Sequence, residues 1–599
     1  MWHRVLVFAL CSLFAIAGFF SLRGDSATFD ETAHIAAGVA YAERGDFRLN
    51  PEHPPLVKYL SGSALVMTGR GGLDYGSAAW DGADPWALGR HLLRQRPAER
   101  LVRARLPVLA LGVVLLLAVY GFTREMHGKR PALLALALAA TCPTLLAHAR
   151  LVTTDLAAAL GATLTLWTAW RWLRAPSWGR LFLVGLALGI ALLSKYSCVL
   201  LVPALAGLVL IAAVTRRIAW RHALMGLATA GAIAYVLVWA GYGFRYAAAP
   251  GRSLAWEFLE RQEPGLPGTV AFAREHHLFP EAYLFGIAYA RAESKERVAF
   301  LDGEESVGGW WRYFPEAFAL KTPLAFTALL AWGVAEGLRR TRGRSFDGWF
   351  VALPVLGFAA VSIASRFNIG HRHLTPIYPL LCLAIAPLAA HLAERGVKRI
   401  AVAVLVASCF VSFALATPGY LSYFNLLAGG KRGAMHHLVD SNLDWGQDLG
   451  RLKSWMDRHG VPEIDLAYFG TADPAAYGMA FRKIAFFFDA YPERPAVRLE
   501  SGRTVAISAT LLQGLYLDRE REFAREAIRR GFTTRSAVEG LLRGGPGRVT
   551  ERMASGGLVT QEQRAAIEAD LVATWMDRVR TTMTPMGWAG DSIAIYRIP

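Results

Sequence analysis

The sequence predicts an α-helical polytopic membrane protein of about eleven spans with a C-terminal extracytoplasmic α/β domain. Three observations carry that expectation. Apolar runs of bilayer-crossing length recur from Val5 to Ala416, in a chain that is 54% apolar with a mean hydropathy of +0.31. Lys and Arg gather in short connections between alternate runs. The last stretch, residues 418–599, is of mixed polarity and long enough to fold by itself.

The expected spans are 4–22, 102–122, 131–148, 156–173, 181–194, 197–214, 223–244, 321–338, 347–365, 376–392 and 399–417. Trp2-His3-Arg4 precedes the first run as in a signal peptide, but no small-residue cleavage site follows it at a convincing distance, so it reads as an uncleaved anchor. Five basic clusters fall on one side if Met1 is cytoplasmic: Arg124/Lys129/Arg130, Arg171/Arg174/Arg180, Arg216/Arg217/Arg221, Arg339/Arg340/Arg342/Arg344 and Arg395/Lys398/Arg399. Positive charge in short loops marks the cytoplasmic face. That distribution explains the excess of 64 Lys+Arg over 47 Asp+Glu without nucleic acid. The N-terminus is then inside, and the loops 23–101 and 245–320 and the tail are outside. The expected domains are a membrane domain over 1–417 and an outer α/β domain over 418–599. Cys11, Cys142, Cys198, Cys382 and Cys409 lie in or beside apolar runs, with no disulfide framework and no Cys-x-x-Cys pair.

The stretch FDETAHIAAGVAYAERGDFRLNPEHPPLVKYL, residues 29–60, concentrates polar groups at the mouth of the first span. A helix is expected over 31–44 with Asp30 as N-cap and Gly45 as stop. Capping accounts for Asp30 and Glu31. It does not account for Asp46, Arg48, Asn50, Glu52 and His53, or for Pro54-Pro55, which hold the chain extended before a helix carrying Lys58. In the tail, 445–458 has helical apolar spacing, whereas EIDLAYFG, TVAISA and SIAIYRI read as strands. Asp440, Asn442, Asp444 and Asp448 alternate as in a calcium loop. Gly446 stands seventh and Arg451 twelfth, which argues against an EF-hand. A turn capping a helix over 446–459 is expected there, with a looser divalent site or an acceptor contact left open.

The Asp-Glu pair after the first span, the aromatic-Gly-Asp step and the His-Pro-Pro-Leu-x-Lys turn resemble the first outer loop of GT-C type lipid-linked-sugar glycosyltransferases. Protein O-mannosyltransferases (glycosyltransferase family 39) and aminoarabinose-lipid A transferases are branches of that group, and His53 to Lys58 is nearer the first. ARLVTTDLAAAL with Asp155, WWRYFPEAFALKTPL with Lys321 and FNIGHRHLTPIYP with Arg372 are similar to three further stretches of the family. The tail motif SYFN…DSNLDWGQDL resembles a bacterial subset. No appended lectin repeat is visible.

The resemblance implies transfer of a hexosyl or pentosyl group, with inversion, from a polyprenyl-phosphate sugar to a glycan, lipid or protein acceptor at the outer face of a bacterial inner membrane. It places the base on Asp30. The residues supply that chemistry in principle: one carboxylate takes the acceptor proton and cations meet the charge growing on phosphate. The catalytic candidates are Asp30, Glu31 and Asp155. The donor-phosphate candidates are His53, Lys58, Lys321, Arg366, His371, Arg372 and His373. Lys195 and Tyr196 lie on the same side. Each has a plainer reading: a helix cap for Asp155, interface anchors for the arginines, snorkelling for Lys195, an interfacial belt for Trp310, Trp311 and Tyr313. These residues point to no particular cofactor, and a divalent cation stays open. A transporter or lipid flippase, and a non-catalytic partner in envelope polysaccharide assembly, are the competing classes.

Overall fold

The computed structural model describes residues 2–262, 268–341, 345–486, 500–516 and 575–599. The chain is mostly helical up to Ala416. Every apolar run named above falls on a helix, and among the described residues seven helices are long and apolar enough to cross a membrane, or up to nine when each of two bent pairs is one span. The Asp155–Arg174 helix falls outside that set, and Trp178–Ser194 is shorter than the rest. The about eleven expected spans therefore correspond to seven to nine by length and composition.

Proline sets both bends. Lys129–Ala140 and Pro143–Ala149 meet at 63°, and Tyr313–Lys321 and Leu324–Arg340 meet at 112° across Pro323. Pro lacks the N–H that continues the ladder and disfavours helix in the residue before it. The Lys-Thr-Pro stretch expected to enter a span is thus a corner that turns Lys321 into the protein.

The basic connections meet at one end of the helical body. Arg171 pairs with Glu125 at 3.3 Å, Arg174 with Asp347 at 2.5 Å, and Arg217 lies over the Phe346 ring. Arg342 and Arg344 lie outside the described residues. The opposite end carries the polar loops and the tail.

The helix of the first loop runs Phe29–Arg44 and starts before the expected boundary. Thr28, not Asp30, is its N-cap: the Thr28 N–H and Oγ1 both donate to Glu31 Oε2, at 2.9 and 3.0 Å, as in a capping box. Gly45 ends it at φ +58°, as expected. This helix packs on Leu56–Met67 at unusually close range, since a Cβ at Gly38 would stand 1.9 Å from the Lys58 carbonyl oxygen. The pair forms one rigid hairpin around the 45–55 turn.

In the tail the Leu449–His459 helix and the strands Glu463–Tyr468, Thr504–Ser508 and Ile593–Arg597 lie where expected, joined by Ala480–Phe486 and Gly587–Ala589. Ala480–Phe486, Glu463–Tyr468 and Thr504–Ser508 run parallel, and the last two strands add antiparallel, with Thr504 opposite Arg597. Residues 487–499 and 517–574 of the expected α/β domain lie outside the described set. The sheet is tied to the first loop: Phe29 and Ser26 N–H donate to the carbonyls of Trp445 and Gln447, at 2.8 and 2.9 Å. The helix expected over 446–459 begins at Leu449, and its N–H is accepted by Ser26 Oγ of the first loop rather than by the acidic turn.

Candidate active site

Asp30 lies in the first turn of its helix with its side chain 17% exposed. Its Oδ2 accepts from Arg372 Nη1 at 2.8 Å, across 342 residues of sequence. Arg372 is held from behind by the Trp445 ring, 4.2 Å from its guanidinium carbon. Trp445 belongs to the tail motif, so three distant segments build one pair. Among the described residues, Oδ1 of Asp30 has no hydrogen bond.

Glu31 points the other way. It is fully buried, with Arg105 Nε and Nη2 on its two oxygens at 2.8 and 2.6 Å and the Val152 N–H on Oε1 at 2.9 Å. Burial pushes its carboxyl up, but the Arg105 guanidinium outweighs that and holds it below the usual range. Its two oxygens are committed to Arg105 and the backbone, and it is the Arg372 guanidinium that grips Asp30. Next to it Asp25 joins Arg150 and Arg451, and Arg451 reaches on to Asp448. This buried network joins the first loop, two helices of the body and the tail.

Asp155 opens its helix, but Thr154 occupies the cap position and the carboxylate goes elsewhere. Its Oδ1 takes Lys195 Nζ at 2.5 Å, and His148 Nδ1 lies 3.9 Å from its Oδ2. At 1% exposure it is sealed beneath the surface, within electrostatic reach of Arg372 and His373. Lys195 is thereby a counter-ion, not a snorkelling lysine.

Two of the expected phosphate cations are spent on backbone. Lys58 Nζ donates to the His53 carbonyl at 2.7 Å and to the Asn50 carbonyl, while burial pulls its ammonium down to about 7. Lys321 Nζ donates to the carbonyls of Leu421, at 2.8 Å, and Asn442, and faces the Phe424 ring. Both strap loops together. His371 is buried with its Nε2 on Tyr378 Oη at 2.8 Å, and its N–H donates to Asn442 Oδ1. His373 lies edge-on to Phe367. Arg366 is exposed and has no side-chain partner among the described residues. Tyr313 is 1% exposed and accepts from Asn442 Nδ2, so it is a core residue rather than part of a belt. A narrow cleft of about 10 Å³, lined in part by His148, Lys321, His371 and Arg372, lies on the Arg372 side of the Asp30–Arg372 pair.

The acidic tail turn does not converge on a point. Asp440 accepts from Tyr516 Oη, Asp444 from the Thr510 N–H at 3.0 Å and Asp448 from Ser592 Oγ at 2.8 Å. Among the described residues, the ligand-type side chains that do converge are Asp30, His34 and His53, whose donor atoms lie within 4.8 Å of one another. His34 escaped the sequence reading. The available signal was its position four residues after Asp30 on a helix, which puts both on one face.

The family model of dolichyl-phosphate-mannose-protein mannosyltransferases matches residues 98–240. Over that segment the chain is similar to the mannosyltransferases. The resemblance read from the motifs is borne out by this match, which includes Asp155 and Lys195. Among solved structures, ArnT from Cupriavidus metallidurans bound to undecaprenyl phosphate is 14% identical over 85% of this chain and 94% of its own, with a TM-score of 0.46. The apo oligosaccharyltransferase of Archaeoglobus fulgidus is 12% identical over 87% of this chain and 71% of its own, with a TM-score of 0.46. The S. cerevisiae protein O-mannosyltransferase Pmt1–Pmt2 complex bound to the sugar donor is 18% identical over 41% of this chain and 34% of its own, with a TM-score of 0.31. No curated protein matches in sequence.

Proposed function

We propose that the chain is a membrane glycosyltransferase that moves a sugar from a polyprenyl-phosphate carrier to an acceptor hydroxyl at the outer face of a bacterial inner membrane. The observation that carries this reading is the Asp30–Arg372 pair: a partly exposed carboxylate with one free oxygen, beside a guanidinium and a cleft. The match to the mannosyltransferase family over 98–240 supports the same chemistry.

In the reaction, the acceptor oxygen bonds to the anomeric carbon as the bond from that carbon to the phosphate oxygen breaks. The phosphate leaves with the electron pair, and the acceptor proton passes to Asp30 Oδ1. Attack opposite the leaving group inverts the anomeric centre. Arg372 is shared between the two halves of this event. A guanidinium favours phosphate in a forked geometry, so the donor phosphate draws Arg372 away from Asp30 and leaves a freer base. Lys58 and Lys321 act by holding the loops in place, and Asp155 by fixing Lys195 under the cleft.

The test uses purified protein with a polyprenyl-phosphate sugar, scored by release of polyprenyl phosphate. Asp30→Asn is expected to keep the fold and to lose about 10²–10⁴-fold in turnover, the range of general-base catalysis. Wild-type turnover in Asp30→Asn would overturn the assignment of the base. Solute uptake into proteoliposomes without consumption of any lipid-linked sugar would overturn the enzyme reading itself.

A further inference from the structure

We infer that Asp30, His34 and His53 form a binding site for one divalent transition-metal ion of the zinc type. The donor atoms of the three side chains lie within 4.8 Å of one another. Ligand atoms around a tetrahedral ion stand about 3.4 Å apart, from bonds of about 2.1 Å, so small side-chain rotations close the set.

The hydrogen bonds say which atoms are available. His34 Nδ1 lies 2.7 Å from the Val152 carbonyl oxygen, which only accepts, so Nδ1 carries the proton. Nε2 then presents a lone pair. The residue is 0% exposed, and Nε2 has no hydrogen-bond partner. A buried acceptor left unpaired has lost its hydration without compensation, and an ion supplies the missing partner. A ring N–H given to a backbone carbonyl is also the usual outer-shell support of a metal-bound histidine.

The other two ligands are equally constrained. Asp30 lies one helical turn before His34 on the same face, and Arg372 takes its Oδ2 alone, leaving Oδ1. His53 meets His34 edge-on, with ring centroids 5.1 Å apart, and its ring nitrogens have no hydrogen bond among the described residues. Its backbone is pinned by Pro54-Pro55 and by Lys58 on its carbonyl. Two imidazoles and one carboxylate suit zinc, cobalt or ferrous iron over magnesium or calcium, which prefer all-oxygen shells. Three protein ligands leave a fourth position for a water or hydroxyl group. An ion there shares Oδ1 with the acceptor proton, so metal-loaded and metal-free protein differ at the proposed base.

The inference stands on three side chains and not on the proposed reaction, so its test reads metal rather than turnover. Detergent-purified full-length protein is stripped with chelator, titrated with Co²⁺ and followed by d–d absorption, with metal content measured after desalting. One Co²⁺ per chain is expected, and X-ray absorption of the zinc-loaded protein is expected to show two imidazole ligands. His34→Asn keeps a donor for the Val152 carbonyl while removing Nε2, and His53→Ala removes the more exposed ligand. Each is expected to weaken Co²⁺ binding at least ~10-fold with unchanged circular dichroism. Equal binding by both variants, or a wild-type absorption spectrum without imidazole scattering, overturns the site. The wild-type spectroscopy decides the matter even where a variant fails to fold.

Discussion

Arg372 is the residue on which the candidate site turns, because it touches everything the chemistry needs. It donates to Asp30, lies over Trp445 and lines the cleft with His148, Lys321 and His371. Arg372→Lys keeps the charge but loses the planar fork and the stacking face. The expected result is a KM for lipid-linked donor raised about 10-fold, of order 1.4 kcal/mol, with a smaller change in kcat. An unchanged KM would show that Arg372 serves only to hold Asp30. Asp444 makes a different kind of statement. Burial pushes its carboxyl up to about 7, from an ordinary value of 3.8, even though the Thr510 N–H favours the charged form. Between those two values the folded protein retains a proton that the unfolded chain has released. By linkage, stability therefore falls as pH rises from about 4 to about 7. Asp444→Asn is expected to flatten that fall, read as the difference in melting temperature between pH 5 and pH 8 for variant and wild type. Equal slopes for the two proteins would mean that Asp444 is already ionised in the fold.

At the scale of elements, the Phe29–Arg44 and Leu56–Met67 helices determine where Asp30, His34 and His53 stand. Their closeness depends on two glycines facing one another: a Cβ on Gly62 would sit 1.9 Å from the Gly38 carbonyl carbon, and one on Gly38 equally near the Lys58 carbonyl oxygen. Those neighbours are backbone and cannot step aside as a side chain would. Gly38→Ala is expected to cost about 1–3 kcal/mol through overpacking and to displace the 45–55 turn. Loss of donor turnover together with a lowered melting temperature is the expected pattern, and a variant as stable and active as wild type would mean the helices have room to part. Much of this was legible in the residues. Gly45 as a stop, the Pro-Pro turn, the tail strands and the apolar runs are local signals, and they appeared where periodicity put them. The cap was misread by two residues because Thr28 and Asp30 are both good N-caps, and only Arg105, 74 positions from Glu31, shows which carboxylate is taken into the capping box. The lysines show a related limit. A motif shows that Lys58 and Lys321 are there, but not whether the ammonium faces a ligand or a carbonyl. That depends on loops closing over them, which is long-range information. His34 was hidden by its setting, one polar residue among alanines on a helix that reads as core.

For the molecule as a whole, the membrane body and the tail are one structural unit at the level of ion pairs. Asp25, just after the first apolar helix, holds Arg150 from the body and Arg451 from the tail, and the Arg105–Glu31 pair lies beside it. The Asp25 side chain is 1% exposed. Its partners repay the desolvation of the charge only together, because a buried ion pair stabilises little against an apolar replacement but is costly to break from one side. Burial raises the Asp25 carboxyl, and Arg150, Arg451 and Arg105 more than reverse it. Its contribution is thus present at neutral pH and is lost as pH falls through its depressed folded value. Asp25→Asn leaves Arg150 without its counter-charge and Arg451 with Asp448 alone, at an expected cost of about 3–5 kcal/mol. The damage should not stay local. Ser26 caps the Leu449–His459 helix, and its N–H pairs with Gln447, two residues from the Trp445 that backs Arg372. In hydrogen exchange, Asp25→Asn is therefore expected to raise amide exchange in both 26–31 and 445–452 while leaving the Trp220–Gly241 helix as in wild type. Donor turnover should fall in parallel, although Asp25 touches neither Asp30 nor the cleft. Faster exchange confined to the first loop would instead show that the tail holds its position through its sheet alone, and that the wall behind Arg372 is built independently of the membrane body.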